Sequence, residues 1–218
     1  MKRLYIVVEG QTEQEFVNTM LRPWLNGYSI FDITPVLIKT SKYGRGGHVN
    51  ANHFMNTING LLKETADSNL VVSSFVDFYR IPTNMPGYAN AMHQKNSILQ
   101  VSVLENALAQ TVNDWRFIPY IQLHEFEALV FSSNAGFEKY CSKNQFSQTA
   151  SIVDSYDNPE DINSSPETAP SKRLLSLIPD YDKVLLGNVL ALEVGMKTIL
   201  DRCPRFASWV NLIILKCQ

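Results

Sequence analysis

The first hydrophobic run of the chain is short and continuous. Leu4 to Val8 consists of β-favouring residues without polar alternation, which predicts a strand buried on both faces, as in a parallel sheet. The apolar residues that follow recur at helical spacing and predict a helix that ends at about Asn26. Thr12 and Glu15 have the spacing of a capping box at its start, and Glu13 adds a favourable charge to its first turn.

Strand and helix patterns alternate along the next hundred residues. They predict strands at 33–40, 70–76 and 117–123, and helices at 52–65, 90–110 and from about 124 onward. The order β-α-β-α-β-α-β-α is typical of an α/β three-layer sandwich. We therefore expect a mainly parallel sheet of about four strands with helices on both faces.

The composition of the sequence changes after Gln145. The stretch from Asp154 to Pro170 is rich in Asp, Asn, Ser, Glu and Pro, which predicts a long surface excursion. Apolar residues at helical spacing return at 180–200 and 205–216. These patterns predict an α/β core over 1–145 and, over 146–218, the excursion with a helical appendage packed on the core.

Composition and charge narrow the possible functions. The 218 residues are 45% hydrophobic and carry a formal net charge of −2, so bulk positive charge cannot supply affinity for nucleic acid. Three widely spaced cysteines without a C-x-x-C pair argue against a zinc site and favour reduced thiols in the cytoplasm. No apolar stretch has the length of a membrane span.

Acidic residues follow three of the predicted strands. Glu9 ends the first strand, Asp77 ends the third, and His124-Glu125-Phe126-Glu127 follows the fourth. In a parallel sheet the carboxyl ends of the strands share one edge, where ligands bind. Carboxylates that converge there raise one another's pKa unless a cation compensates, and oxygen-only ligands suit Mg²⁺ or Mn²⁺.

A second interpretation of these acids is purely structural. Any buried strand needs a polar residue where it reaches the surface, so Glu9 alone could be an ordinary turn residue. Glu125 and Glu127 are two apart and point in different directions on a helix, so we expect only one to join Glu9 and Asp77. We favour Glu125 as that ligand, while Glu127 could also hold a metal or a basic residue. His124 could orient a water, contact a phosphate or cap the helix.

Gly10 lies at the sharp turn between the first strand and the first helix. A glycine tolerates that turn and lets a phosphate approach the backbone. Neither G-x-G-x-x-G nor G-x-x-x-x-G-K occurs, which argues against dinucleotide-binding and P-loop proteins.

VVEGQTEQEF resembles the first motif of Toprim domains, the metal-dependent modules of topoisomerases, primases and related nucleases. The wider sequence resembles a bacterial Toprim-like family of unknown function that is related to the RloB-like proteins of ATPase-associated defence loci. The resemblance rests on VEGQTEQEF, VDFYRIPTNMPGY, QLHEFEALVFS, NPEDINSSPETAPSKRL and DRCPRFASWV, which together span nearly the whole chain.

The Toprim resemblance implies roles for individual residues. It implies that Glu9 acts as general acid or base, and that Asp77 is the first aspartate of the Asp-x-Asp motif that holds Mg²⁺. The second position of that motif is Tyr79 here. A tyrosine hydroxyl with an ordinary pKa of about 10 is a poor ligand for Mg²⁺, so either Glu125 or Glu127 supplies the missing oxygen or the metal site is weak or lost.

Phosphodiester chemistry also needs cationic side chains for the charge that develops on the transferring group. Arg80, three residues after Asp77, is the first candidate. The others are Lys42 and Arg45 in the loop SKYGRGGH, and Lys172 and Arg173 at a predicted helix start. For each of them alone, a solvated surface position is the simpler interpretation.

Two functions follow from these features. One is a metal-dependent nuclease subunit that cleaves nucleic acid, with DNA as the expected substrate, in antiviral or mobile-element defence beside a partner ATPase. The other is a non-catalytic Toprim-like subunit that binds or senses a nucleotide and docks on that ATPase, which the Tyr79 departure favours. A small-molecule phosphoryl-transfer enzyme is a third, weaker alternative.

Overall fold

The structure is a computed structural model that describes residues 2–38, 50–79, 81–162, 165 and 167–218. Within these ranges every strand pair is parallel. The strands are β1 Arg3–Val8, β2 Asp32–Leu37, β3 Leu70–Asp77, β4 Phe117–Ile118 and β5 Ile121–Gln122. Their order is β2-β1-β3-β4, and β5 also pairs with β3. The predicted α/β fold with a mainly parallel sheet is therefore confirmed.

The predicted fourth strand is interrupted in its middle. Pro119 has no backbone N–H for the ladder, and the chain divides there into β4 and β5. Ser74 of β3 spans the gap, because its hydroxyl donates to the Tyr120 carbonyl at 2.9 Å and accepts from the Tyr120 N–H at 2.9 Å. A side chain thus replaces the missing ladder bonds, and β5 continues to the same sheet edge as β1 and β3.

Helices cover both faces of the sheet. In chain order they are α1 Gln11–Phe16, α2 Arg22–Asn26, α3 Ala51–Glu64, α4 Tyr88–Met92, α5 Ser97–Val112, α6 Glu127–Val130, α7 Ala135–Tyr140, α8 Lys143–Ser155, α9 Pro170–Leu177, α10 Leu185–Val194, α11 Met196–Arg202 and α12 Pro204–Cys217. A π-helical turn, Val17–Leu21, joins α1 to α2. The predicted helices at 90–110 and 180–200 are each divided in two; Gly195 (φ 80°) separates α10 from α11.

Two hydrophobic cores lie on opposite faces of the sheet. Along β1, Leu4, Ile6 and Val8 belong to one core and Val7 to the other, as the two-residue period of a strand requires. Helices α3 and α5 fill the second core. The first core contains α1 together with α10 and α12, so the C-terminal helices pack directly on the sheet. The boundary between core and appendage at residue 145 stays a prediction.

The start of α1 differs from the predicted capping box. Gly10 is the N-cap, and its N–H donates to Glu13 Oε2 at 2.9 Å. The prediction that Thr12 and Glu15 form the box was therefore wrong by two residues, because the strand ends at Val8 and the helix begins at once. Among the described helices none is long and apolar enough to cross a membrane.

Candidate carboxylate site

Three chain segments bring carboxylates to the carboxyl edge of the sheet. The β1–α1 turn carries Glu9 and Glu13, β3 ends at Asp77, and α6 begins at Glu127. Glu13 is 4% exposed, Asp77 9% and Glu127 0%, so three of these charges are held out of water. Such burial is unusual for acidic side chains unless a cation compensates.

Lys183 lies among these carboxylates. It comes from the segment before α10, and its Nζ is 3.3 Å from an oxygen of Asp77, 3.3 Å from Glu127 and 3.9 Å from Glu13. The other oxygen of Asp77 accepts the Phe126 N–H at 2.9 Å. One ammonium group thus joins carboxylates from three separate parts of the chain.

The single positive charge of Lys183 does not neutralise all four carboxylates of the site. Burial raises the pKa of Asp77 well above its usual value, Lys183 lowers it, and the charges of Glu13, Glu127 and Glu9 raise it again. Burial alone would lower the pKa of Lys183, but Asp77, Glu127 and Glu13 raise it well above normal. The lysine therefore stays protonated, while the acids together are short of positive charge.

Glu9 occupies the exposed rim of this group. Although the residue is exposed, nearby protein removes part of the water around its carboxylate, and this desolvation raises its pKa; the charge of Glu13 raises it further. The charge of Lys183 and a hydrogen bond from the Asp77 backbone lower the pKa of Glu9. Gly10 keeps the turn narrow, since a Cβ there would lie 3.1 Å from Glu13 Oε2.

Glu125 and Glu127 point in different directions, as their spacing predicts for a helix start. Glu125 accepts two hydrogen bonds from Ser171 at 2.9 Å, one from the backbone N–H and one from the hydroxyl, and so holds the first turn of α9. Glu127, not Glu125, faces Asp77 through Lys183. The structure thus brings Glu9, Asp77 and Glu127 together, and places Glu125 against another element.

The substitution Glu125→Gln is expected to lower the free energy of unfolding by about 1–2 kcal/mol, because the two Ser171 donors bind different carboxylate oxygens and the NH₂ group that replaces one of them accepts no hydrogen bond. Any stabilisation by Mn²⁺ is expected to stay unchanged, since both oxygens of Glu125 are engaged by Ser171. Urea unfolding with and without Mn²⁺ measures both quantities, and Ser171→Ala provides the matched control. Loss of the Mn²⁺ response in Glu125→Gln alone would instead support the metal-ligand role predicted from the sequence.

His124 connects the site to the sheet through its backbone. Its carbonyl accepts the Tyr79 N–H at 2.8 Å, and its own backbone is left-handed with φ 67°. Its imidazole is 4% exposed, and burial lowers its pKa to about 4, so it is neutral at pH 7. A neutral ring can give or accept one hydrogen bond but supplies no charge to a phosphate.

Of the basic candidates that the structure describes, neither Lys172 nor Arg173 forms an ion pair with a described carboxylate. Arg173 donates to the Thr168 carbonyl at 2.8 Å and stacks over Tyr156, and Lys172 is exposed on α9. Lys42, Arg45 and Arg80 lie outside the described residues.

Two residues of the site were missed by sequence reasoning. Glu13 was assigned only a helix-dipole role, although its place three residues after Gly10 is that of the acidic member of a capping box. Lys183 lies 106 positions after Asp77 and is in no recognisable motif. Only the three-dimensional packing of α10 on α1 could place it.

The chemical type of the candidate ligands suits a hard divalent cation. All candidate ligands are carboxylate oxygens. Within the part of the chain that the structure describes, neither buried oxygen of Glu127 has a well-formed hydrogen bond, although Lys183 Nζ is 3.3 Å from one of them. Among the described residues, no three His, Cys, Asp or Glu side chains are already grouped closely enough to hold a metal ion. The ammonium group of Lys183 lies between the carboxylates of Glu13, Asp77 and Glu127.

Comparison with solved structures finds matches of low similarity to proteins of two bacteria. The C-terminal region of the Burkholderia pseudomallei OLD protein is 15% identical, with a TM-score of 0.48, and the match covers 98% of this chain and 99% of that one. The C-terminal region of the Xanthomonas campestris pv. campestris OLD protein, phased with mercury, is 16% identical, with a TM-score of 0.45 over 99% and 97% of the chains.

Sequence comparisons place the chain in a family. No curated protein sequence matches it. The model of a domain of unknown function, DUF4276, matches residues 8–214, which includes every carboxylate of the site and Lys183. The resemblance to a family of unknown function is thereby confirmed, whereas the relation to RloB-like proteins stays a prediction. The chain belongs to the DUF4276 family.

Proposed function

We propose that this protein is a divalent-metal-dependent nuclease subunit of Toprim type that cleaves phosphodiester bonds in nucleic acid, DNA foremost. The observation that carries the proposal is the convergence of Glu13, Asp77 and Glu127 on one ammonium group at the carboxyl edge of a parallel sheet, with Glu9 at its rim. Three buried acids and one rim acid form a site for cations rather than a packing element.

The residues that would hold Mg²⁺ or Mn²⁺ are Asp77, Glu127 and Glu13. When bound, the ion supplies Lewis-acid stabilisation of negative charge on the phosphoryl oxygens. Glu9 at the rim accepts a proton from the attacking water, and its raised pKa brings that proton transfer closer to neutral pH. Lys183, freed from the carboxylates, offers its charge to the transferring phosphoryl group.

The partner and context of this activity are part of the proposal. The net charge of −2 means that bulk charge on this chain does not supply affinity for DNA, so a second component would supply most of it. A partner ATPase in a prokaryotic defence or mobile-element locus, as the Toprim-like family resemblance implies, would provide it. Arg80, Lys42 and Arg45 stay candidates for the phosphate contact on this chain.

One observation favours a second function. Tyr79 stands where Toprim enzymes have their second aspartate, and Lys183 already neutralises part of the acid group. A protein in which lysine replaces the ion permanently would be a non-catalytic subunit that docks on the ATPase.

Cleavage of labelled single-stranded and double-stranded DNA and of RNA separates the two functions. We expect cleavage that requires Mg²⁺ or Mn²⁺, stops in EDTA and resumes when the ion is restored. Absence of cleavage with either ion, with and without the co-purified partner ATPase, would favour the non-catalytic subunit.

A further inference from the structure

Two buried polar groups beside the carboxylate site lack a well-formed hydrogen bond within the part of the chain that the structure describes. One is the hydroxyl of Tyr181, on the segment that leads into α10, and the other is the carboxylate of Glu127. Tyr181 is 8% exposed and Glu127 is 0% exposed, so bulk water does not reach either group. Buried polar atoms are normally satisfied, and these two therefore need an explanation.

The two groups lie within reach of each other. Burial raises the pKa of Tyr181, and the Glu127 carboxylate raises it further through its charge and as a hydrogen-bond acceptor. The hydroxyl therefore keeps its proton and is a donor, whereas an ionised carboxylate only accepts. Lys183 Nζ is 3.3 Å from Oε2 of Glu127, and the other oxygen, Oε1, has no partner among the described residues.

The backbone of α10 leaves room for the Tyr181 hydroxyl. A Cβ on Gly187 would lie 2.6 Å from that hydroxyl oxygen, which is closer than van der Waals contact allows. Gly187 has a helical conformation, in which alanine is more stable than glycine, so the backbone itself does not require a glycine there. The close approach of the hydroxyl does require one.

We propose that Tyr181 is a positioning residue that donates a hydrogen bond to Glu127 and holds this carboxylate in place as a ligand of the divalent ion. The inference rests on the proposed function for the presence of that ion. When Glu127 gives up Lys183 and binds an ion with one oxygen, its second oxygen stays buried, and the Tyr181 hydroxyl satisfies it. Hydrogen bonds of this kind orient metal ligands, and their loss commonly lowers metal affinity about tenfold to a hundredfold.

The affinity of the full chain for Mn²⁺ tests the inference without cleavage. The dissociation constant is measured at pH 8 from the electron paramagnetic resonance signal of free Mn²⁺. Tyr181→Phe is expected to weaken binding about tenfold or more. Tyr120→Phe is the matched control, because Tyr120 is 3% exposed and its hydroxyl donates to Gln122 Oε1 at 2.7 Å. This control is expected to unfold at a lower urea concentration but to keep the Mn²⁺ affinity of the wild type.

A second variant displaces the Tyr181 hydroxyl instead of removing it. In Gly187→Ala the new methyl group occupies the space beside the hydroxyl oxygen, so Mn²⁺ binding is expected to weaken here as well. Gly60→Ala in α3 is its control, since a Cβ on Gly60 would have no atom within 4 Å. This control is expected to keep the wild-type affinity.

Wild-type Mn²⁺ affinity in Tyr181→Phe would overturn the inference; if that variant does not fold, wild-type affinity in Gly187→Ala would do so. Equal losses of affinity in Tyr181→Phe and Tyr120→Phe, or no binding of Mn²⁺ by the wild type, would overturn it too. Mn²⁺ binding that depends on Tyr181, without cleavage of nucleic acid, would remove the proposed function and leave this inference standing. Metal-dependent cleavage with unchanged Mn²⁺ affinity in Tyr181→Phe would do the reverse.

Discussion

Replacing Lys183 with methionine is expected to lower the free energy of unfolding by about 2 kcal/mol at pH 8 in metal-free buffer. Removing one partner of a buried ion pair costs about 3–5 kcal/mol, because the remaining charge stays buried and unpaired. The Lys183 side chain is 38% exposed, so solvent screens part of that loss. Methionine keeps the length and apolar stem of lysine, which limits any contribution from lost packing.

The effect of Lys183→Met has a predictable dependence on pH. Burial already raises the pKa of Asp77, and removal of the lysine raises it further. A carboxyl group with a raised pKa in the folded state stabilises the fold when protonated, and this stabilisation is lost as pH rises from the unfolded pKa through the folded one. The destabilisation is therefore expected to be smaller at pH 5.5 than at pH 8.

Divalent metal is expected to compensate for the missing ammonium group. Saturating Mn²⁺ should stabilise Lys183→Met more than the wild-type protein, because the ion no longer competes with a lysine. Binding at a hundredfold excess over Kd contributes about 3 kcal/mol, enough to restore the loss. Urea unfolding at both pH values, with and without Mn²⁺, measures these effects.

Lys139→Met is the matched control for this substitution. Lys139 forms an ion pair with Glu193 on the surface, where its side chain is 61% exposed, so its removal is expected to leave stability nearly unchanged. Unchanged stability of Lys183→Met at pH 8 would mean that the lysine does not neutralise the acids. A larger Mn²⁺ response in the wild type would mean that it assists the ion rather than competing with it.

The sequence was sufficient to predict the centre of the sheet. The continuous apolar run of β1, the largely apolar run of β3 that Ser73 and Ser74 interrupt, and the acids directly after both runs predicted parallel strands and a shared edge for Glu9 and Asp77. The interruption at Pro119 was harder to predict, because Ser74, a residue of another strand, supplies the hydrogen bonds that keep β4 and β5 in one sheet.

The residues that form the site could not all be predicted, because some are placed there by contacts between distant parts of the chain. Which of Glu125 and Glu127 faces the acids is decided by Ser171, which lies 46 residues after Glu125 and holds it elsewhere. Lys183 reaches the site only because α10 packs on α1 and α6, and its spacing from the acids follows no motif. The position of Lys183 therefore depends on long-range packing, whereas the acids that follow the strands could be predicted from the sequence.

Asp77→Asn is expected to reduce metal-dependent cleavage by at least about a hundredfold while leaving the fold intact. Asparagine can still accept the Phe126 N–H through its amide oxygen, but it brings no negative charge to an ion. Stability without metal should stay the same or rise, because one fewer buried carboxylate then shares Lys183. Activity and metal-free stability should thus move in different directions, which a purely structural role of Asp77 would not produce.

Glu9→Gln, Asp77→Asn and the control Asp154→Asn together decide whether the acids act in catalysis or only in packing. Glu9→Gln is expected to lose cleavage, by about a hundredfold or more, and to keep most of its stabilisation by Mn²⁺, because Glu9 lies at the rim and acts on the proton. Asp77→Asn is expected to lose both cleavage and stabilisation by Mn²⁺, and Asp154→Asn, at an exposed carboxylate on α8, is expected to keep both. Cleavage rates on labelled DNA and thermal unfolding with Mn²⁺ give the two readouts. Cleavage that is equally fast in all three variants would exclude the carboxylate edge as its source, because no chemistry at that edge survives the loss of Asp77 and Glu9 alike.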